Sequence, residues 1–158
     1  LRTFSTLKGM PVYCNKSATL LGYVTDLYLS PQGQIFGLLM EGKGLINRDK
    51  FVPFEVVDAL GENGVMVKDR NSLQPVHAIK TNQQYIPYDD LHFKSVLTRE
   101  GEKLGLLEDV YISEKMGTIE AYELTDGFFA DITEGKKVVK ASGEPLTISK
   151  DAIVMDFS

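Results

Sequence analysis

Two aspartates, Asp26 and Asp109, have the clearest capacity for chemistry in this chain, because paired carboxylates can divide acid and base work between them. They stand in the same local context. Residues 21–30 spell LGYVTDLYLS and residues 104–113 spell LGLLEDVYIS, with Leu21 and Leu104, Asp26 and Asp109, and Tyr28 and Tyr111 each 83 apart. A residue copied together with its surroundings is expected to serve the fold of each copy. Both aspartates are therefore expected to accept backbone N–H bonds near a bend or turn.

Other chemistry-bearing residues do not assemble into a site. The single cysteine, Cys14, has no disulfide partner and reads as a small buried or half-buried thiol, and His77 and His92 lie far from it in sequence. The histidines read as surface residues, and two of them make a weak metal site without a third ligand. Asp126, Asp131 and Glu134 lack the spacing of a calcium loop. The stretch EGKGLIN at residues 41–47 has a GxG but neither the third glycine nor the helix start that cradles a phosphate. No serine sits in a G-x-S-x-G turn. No catalytic, cofactor-binding or metal-ligating residue is assigned, and no cofactor is expected.

The 158 residues are 43% hydrophobic and 25% charged, which suits one average domain or two small ones. Two small domains would each bury a limited share of their surface, and packing together would help both. The net charge of −5 does not mark a nucleic-acid binder, so no direct nucleic-acid contact is expected. The densest basic cluster is only Lys136-Lys137. No apolar run approaches the ~18–20 residues of a membrane span, and LRTFSTLKGM at the start lacks the apolar core of a signal peptide. With one cysteine, these features predict a soluble protein of a reducing, cytoplasmic compartment.

The elements that position these residues are predicted to be strands, because runs rich in Val, Ile, Leu, Tyr and Phe are short and punctuated by Gly, Pro, Asn and Asp. Ser30-Pro31-Gln32-Gly33 suits a type I turn, and residues 113–117 form a longer hairpin loop ending in Gly117. Gly61-Glu62-Asn63-Gly64 predicts a third hairpin. Helical turns are expected at Pro53-Phe54-Glu55 or near Thr147–Asp151. Residues 152–155 repeat residues 64–67 at an offset of 88, so the second copy carries about five extra residues in its loops.

The repeat predicts two small barrels, at residues 1–69 and 92–158, joined by a partly ordered linker at residues 70–91. Val76, Ile79, Tyr85, Ile86 and Tyr88 make that linker apolar enough to dock. Strand alternation puts Gly22, Val24, Asp26 and Tyr28 on one face, and Tyr23, Thr25, Leu27 and Leu29 on the other. The second copy repeats this with Gly105, Asp109 and Tyr111. Both faces are apolar, so the strand is either covered on both sides or bulged; Gly22 and Gly105 suit a bend.

Phe128 and Phe129 within DGFFADITEG at residues 126–135 must point to opposite faces of a strand. One is expected in the core. The other is a candidate for an inter-barrel interface, for a contact with an outside partner, or for ordinary core. Phe36 and Phe51 pose a weaker version of the same question.

Residues 22–27 (GYVTDL), the hairpin with Gly33-Gln34-Ile35, Val52-Pro53-Phe54 and residues 64–67 (GVMV) together resemble the PRC-barrel domain. Residues 105–110 and 151–155 offer a second copy, in which Leu107 replaces the usual valine and no Pro-aromatic pair matches Pro53-Phe54. The chain is similar to the tandem, two-barrel bacterial type. The resemblance implies an all-β fold of two small, strongly bent barrels. Family members include the cytoplasmic part of the photosynthetic reaction-centre H subunit and the C-terminal half of the ribosome maturation factor RimM, where the barrel itself is not enzymatic. It implies a contact or assembly module with an unknown protein partner, and homo-oligomerisation is compatible with it. A ribosome- or RNA-processing-associated role, by analogy with RimM, and a small-molecule or enzymatic site between the barrels are the alternatives.

Overall fold

A computed structural model describes residues 2–42, 48–80, 82, 84–115, 117–126 and 136–156. Strand β1 (Arg2–Thr3) and the single helical turn α1 (Phe4–Leu7) lead into β2 (Pro11–Cys14), β3 (Leu20–Leu29), β4 (Ile35–Gly42), β5 (Lys50–Pro53), β6 (Val57–Leu60) and β7 (Val65–Val67). The connecting stretch carries β8 (Gln74–Pro75), α2 (His77–Lys80) and β9 (Ile86–Pro87). The second half has β10 (Ser95–Thr98), β11 (Lys103–Ser113), β12 (Thr118–Thr125), β13 (Lys136–Lys140), β14 (Thr147–Ile148) and β15 (Ala152–Met155).

The fold is all-β, with two curled sheets of the same plan. The first runs β6-β7-β2-β3-β4-β5 and the second β14-β15-β10-β11-β12-β13. In each, the closing strand lies parallel to the opening one, Val12 opposite Val65 and Val96 opposite Ile153. The helical turn expected at Pro53 is a 3-10 turn at Phe54–Val56. The one expected near Thr147 is instead a strand, because Thr147 and Ile148 pair with Val154 and Ile153 and complete the second sheet.

The repeated motif forms the long central strands β3 and β11. Each has a register shift after the motif's fourth residue, between Val24 and Asp26 and between Leu107 and Asp109. This bulge turns Val24 and Leu27 both inward, as the apolar content of both faces requires. The glycines ahead of it allow a close approach. A Cβ on Gly105, held at φ +144, would sit 2.5 Å from the Thr125 carbonyl oxygen, and one on Gly22 would collide with that of Glu41. The β3–β4 turn closes with the Gly33 N–H donating to the Ser30 carbonyl at 2.9 Å, and its counterpart, one residue longer, closes from Gly117 to Ser113 at 3.0 Å.

One hydrophobic cluster runs through both barrels and includes Leu27, Leu29 and Leu38 with Ile112, Leu124 and Ile153. A second cluster lies on the outer face of the first barrel, where Ile79 and Tyr85 from the connecting stretch cover Tyr28, Phe36 and Phe51. The Tyr85 ring stacks on Phe36 at 4.1 Å. Glu123 pairs with Asp109 in the second barrel as Leu39 pairs with Asp26 in the first, so the equivalent outer face is more polar.

Candidate interaction site at the inter-barrel junction

The two halves exchange their leading segments. Strand β1 does not join the first sheet; Arg2 and Thr3 pair with Ile112 and Tyr111 of β11. Reciprocally, Ile86 and Pro87 of β9 pair with Leu29 and Tyr28 of β3. The helical turn after each leading strand reaches the opposite barrel's repeated aspartate. Oδ1 of Asp109 accepts the N–H of Ser5 at 3.1 Å, and Oδ1 of Asp26 accepts that of Asp89 at 3.1 Å. The same oxygens accept the next residue's N–H, from Val110 at 2.9 Å and from Leu27 at 2.8 Å. The Phe4 and Tyr88 rings meet edge to face at 5.3 Å.

The hairpin tips are joined in the same reciprocal way. The Ile35 N–H donates to the Gly117 carbonyl at 2.8 Å and the Ile119 N–H to the Gly33 carbonyl at 2.7 Å, around a bridge between Gln34 and Thr118. Contacts that exchange partners in this manner define an approximate two-fold relation, as in an isologous dimer, here within one chain.

Asp26 and Asp109 are only 8% and 6% exposed. They line a cavity of about 70 Å³ at the junction, together with Lys8, Tyr88, His92 and Glu108, which is room for a few waters. Burial holds the Asp26 carboxyl above its ordinary range, at about 6, against the lowering effect of its two backbone N–H donors. Burial, and then the nearby carboxylates of Asp109 and Glu108, push the Tyr88 phenol well up. Its hydroxyl donates to the Glu108 carbonyl at 3.0 Å.

Tyr28 packs edge to face on Phe51 at 5.9 Å under the connector, and its phenol is raised by burial. Tyr111, half-buried, donates to Glu123 at 3.3 Å. Gly22 and Gly105 sit at the close strand approaches described above. The structure therefore brings Asp26 and Asp109 to one cavity and leaves the two tyrosines on opposite barrels. Phe128 and Phe129 lie outside the described residues. Cys14 is buried and free, and both histidines are exposed. No group of three or more potential metal ligands occurs among the described residues. No helix among them is long and apolar enough to cross a membrane.

Sequence reasoning missed the exchanged segments and a residue at their end, Phe93. The Gly9 N–H donates to the Val24 carbonyl, and the Phe93 N–H makes the equivalent bond to Leu107. Both positions are left-handed, at φ +89 for Gly9 and +67 for Phe93. Glycine adopts that conformation freely, whereas a bulky residue there costs about 1–2 kcal/mol. Phe93 is also 54% exposed, with its ring stacked on His92 at 3.9 Å. The signal was present but faint. Phe4 and Tyr88, and Leu7 and Leu91, are each 84 apart, extending the repeat forward with a one-residue shift.

The PRC-barrel domain family model matches the chain twice, over residues 2–74 and 84–157. The chain is similar to the uncharacterized protein YrrD of Bacillus subtilis (strain 168), at 27% identity over 157 residues, covering 99% of this chain and 88% of the relative. With two sheets of one plan and a family match over each half, the chain belongs to the PRC-barrel domain family and carries that domain in tandem.

Proposed function

We propose that this protein is a non-enzymatic tandem PRC-barrel module that holds a protein partner, with the His92–Phe93 pair as a contact point. The observation that carries this reading is Phe93. A backbone that would favour glycine, and has glycine at the equivalent Gly9, instead presents an exposed aromatic ring. Strain retained at an exposed position points to use, and aromatic residues dominate the energetics of protein interfaces. The repeated carboxylates support the non-enzymatic part of this reading, since their Oδ1 atoms are engaged by backbone N–H groups of the chain itself across the junction.

The test uses the whole chain as bait, wild type against Phe93→Gly. The variant is expected to unfold at an equal or higher denaturant concentration, because the left-handed strain is relieved, and to lose a partner that wild type retains. A variant that captures the same partner as wild type refutes the role of Phe93. A wild-type chain that recovers no partner and stays monomeric refutes the module reading itself.

A further inference from the structure

We propose that the mouth of the first barrel binds a small organic anion, a carboxylate or phosphate on a compact apolar body. A cavity of about 120 Å³ opens between the start of β3, the end of β4, the start of β5 and the 3-10 turn at Arg70–Ser72. Its floor is apolar: Leu21 and Met40 are buried, and Leu73 packs against the core beside them. Its rim carries three cations, Arg48, Lys50 and Arg70, from separate stretches of chain, and no carboxylate among the described lining residues.

What sets these three cations apart from the other unpaired ones is that they share one recess. Arg2, Lys16, Lys68 and Arg99 each pair with a carboxylate within 4 Å. Arg48, Lys50 and Arg70 form no such pair among the described residues. Asp69, next to Arg70, is engaged by Lys16 at 3.3 Å and by the N–H of Asn71 at 3.1 Å. In a chain of net charge −5, three unpaired cations around one apolar recess form a local positive field. Two guanidinium groups and an ammonium suit carboxylate or phosphate oxygens, while the floor suits an attached ring or short chain. At about 120 Å³ the recess is smaller than the apolar cavity of about 150 Å³ that encloses benzene, so it takes a ring or short chain only in part, with the anion outside at the rim.

The second barrel supplies a contrast. Leu124 and Lys137 pair there as Met40 and Lys50 do in the first. Asp126 follows the end of β12 at the position corresponding to Gly42, placing a carboxylate where the first mouth has none.

Titration of the full chain with phenyl phosphate, followed by amide chemical shifts and calorimetry, tests the site, with inorganic phosphate and benzyl alcohol as partial probes. Phenyl phosphate is expected to saturate with shifts centred on β3, β4 and Leu73, and to bind at least roughly tenfold more tightly than either partial probe. The double variant Lys50→Ala/Arg70→Ala should weaken it by roughly tenfold or more while keeping the wild-type spectrum elsewhere, and Lys103→Ala on the other barrel should not. Inorganic phosphate binding as tightly as phenyl phosphate overturns the proposal. So does the absence of saturation, or an affinity unchanged in the double variant.

Discussion

Replacing Asp26 by asparagine separates the charge of this residue from its hydrogen bonding. Asparagine presents the same Oδ1 acceptor to the N–H groups of Leu27 and Asp89 but cannot ionise. In the folded chain burial raises the Asp26 carboxyl from 3.8 to about 6. The native state therefore holds this proton more tightly than the unfolded chain does. As pH rises the unfolded state releases it first, so this residue's contribution to stability falls between about pH 4 and about pH 7. A shift of about two units corresponds to roughly 3 kcal/mol at 1.36 kcal/mol per unit, and the opening of the junction cavity to solvent reduces this to about 2 kcal/mol. Asp89, Lys8, Tyr88, His92, Glu108 and Asp109 line the same cavity, and the variant leaves all of them in place.

The assay is urea unfolding of wild type and Asp26→Asn across that pH range. The two proteins should be nearly equal near pH 4, within about 1 kcal/mol, and the variant should be the more stable by about 2 kcal/mol above about pH 6.5. A stability difference that is constant with pH would refute the argument, because it would mean that ionising Asp26 carries no native-state penalty. A variant that loses stability relative to wild type as pH rises would mean that the carboxylate's charge strengthens its two hydrogen bonds by more than burial opposes it.

Three further outcomes follow from the junction and the strands. Asp109→Ala leaves the N–H groups of Val110 and Ser5 without their acceptor; it should cost about 1–3 kcal/mol and speed amide exchange in residues 2–7, although these lie at the other end of the chain. Tyr85→Ala uncovers Phe36 and Phe51, and should cost about 2–3 kcal/mol in denaturant unfolding and increase binding of a hydrophobic dye. Gly105→Ala meets the Thr125 carbonyl at 2.5 Å and should cost more than about 2 kcal/mol, whereas Gly9→Ala, with nothing within 4 Å, should cost only about 1 kcal/mol of backbone strain. Equal costs at the two glycines would show that the close approach in β11 is not what selects glycine there.

The local plan of each barrel was legible in the sequence because it is written in short-range terms. Alternating apolar residues, a glycine ahead of a bulge and a turn ending in Gly33 or Gly117 recur at offsets of 83 and 84. Each specifies backbone geometry within a few residues of itself. The apolar residues of the connector likewise announced docking, and Ile79 and Tyr85 cover Phe36 and Phe51. The closing half of the second copy lacks a Pro-aromatic pair, yet β15 takes the same parallel place as β7, since the sheet position depends on pairing and burial more than on one turn.

What the sequence could not convey is which barrel each leading segment serves. Residues 2–7 and 86–91 share little beyond a ring and a leucine, and their partners lie across the molecule. Asp26 and Asp109 each look like a local bend-holder, and each does accept the next residue's N–H. Only folding brings the N–H of Asp89 to Asp26 and that of Ser5 to Asp109. The same holds for Phe93: its type is visible in the sequence, but its left-handed backbone arises where the exchanged segment turns back into its own sheet. Short-range preference determined two barrels; the reciprocal hydrogen bonds that help make them one body join residues 104 and 63 positions apart, and they and the shared core are contacts only tertiary structure can supply.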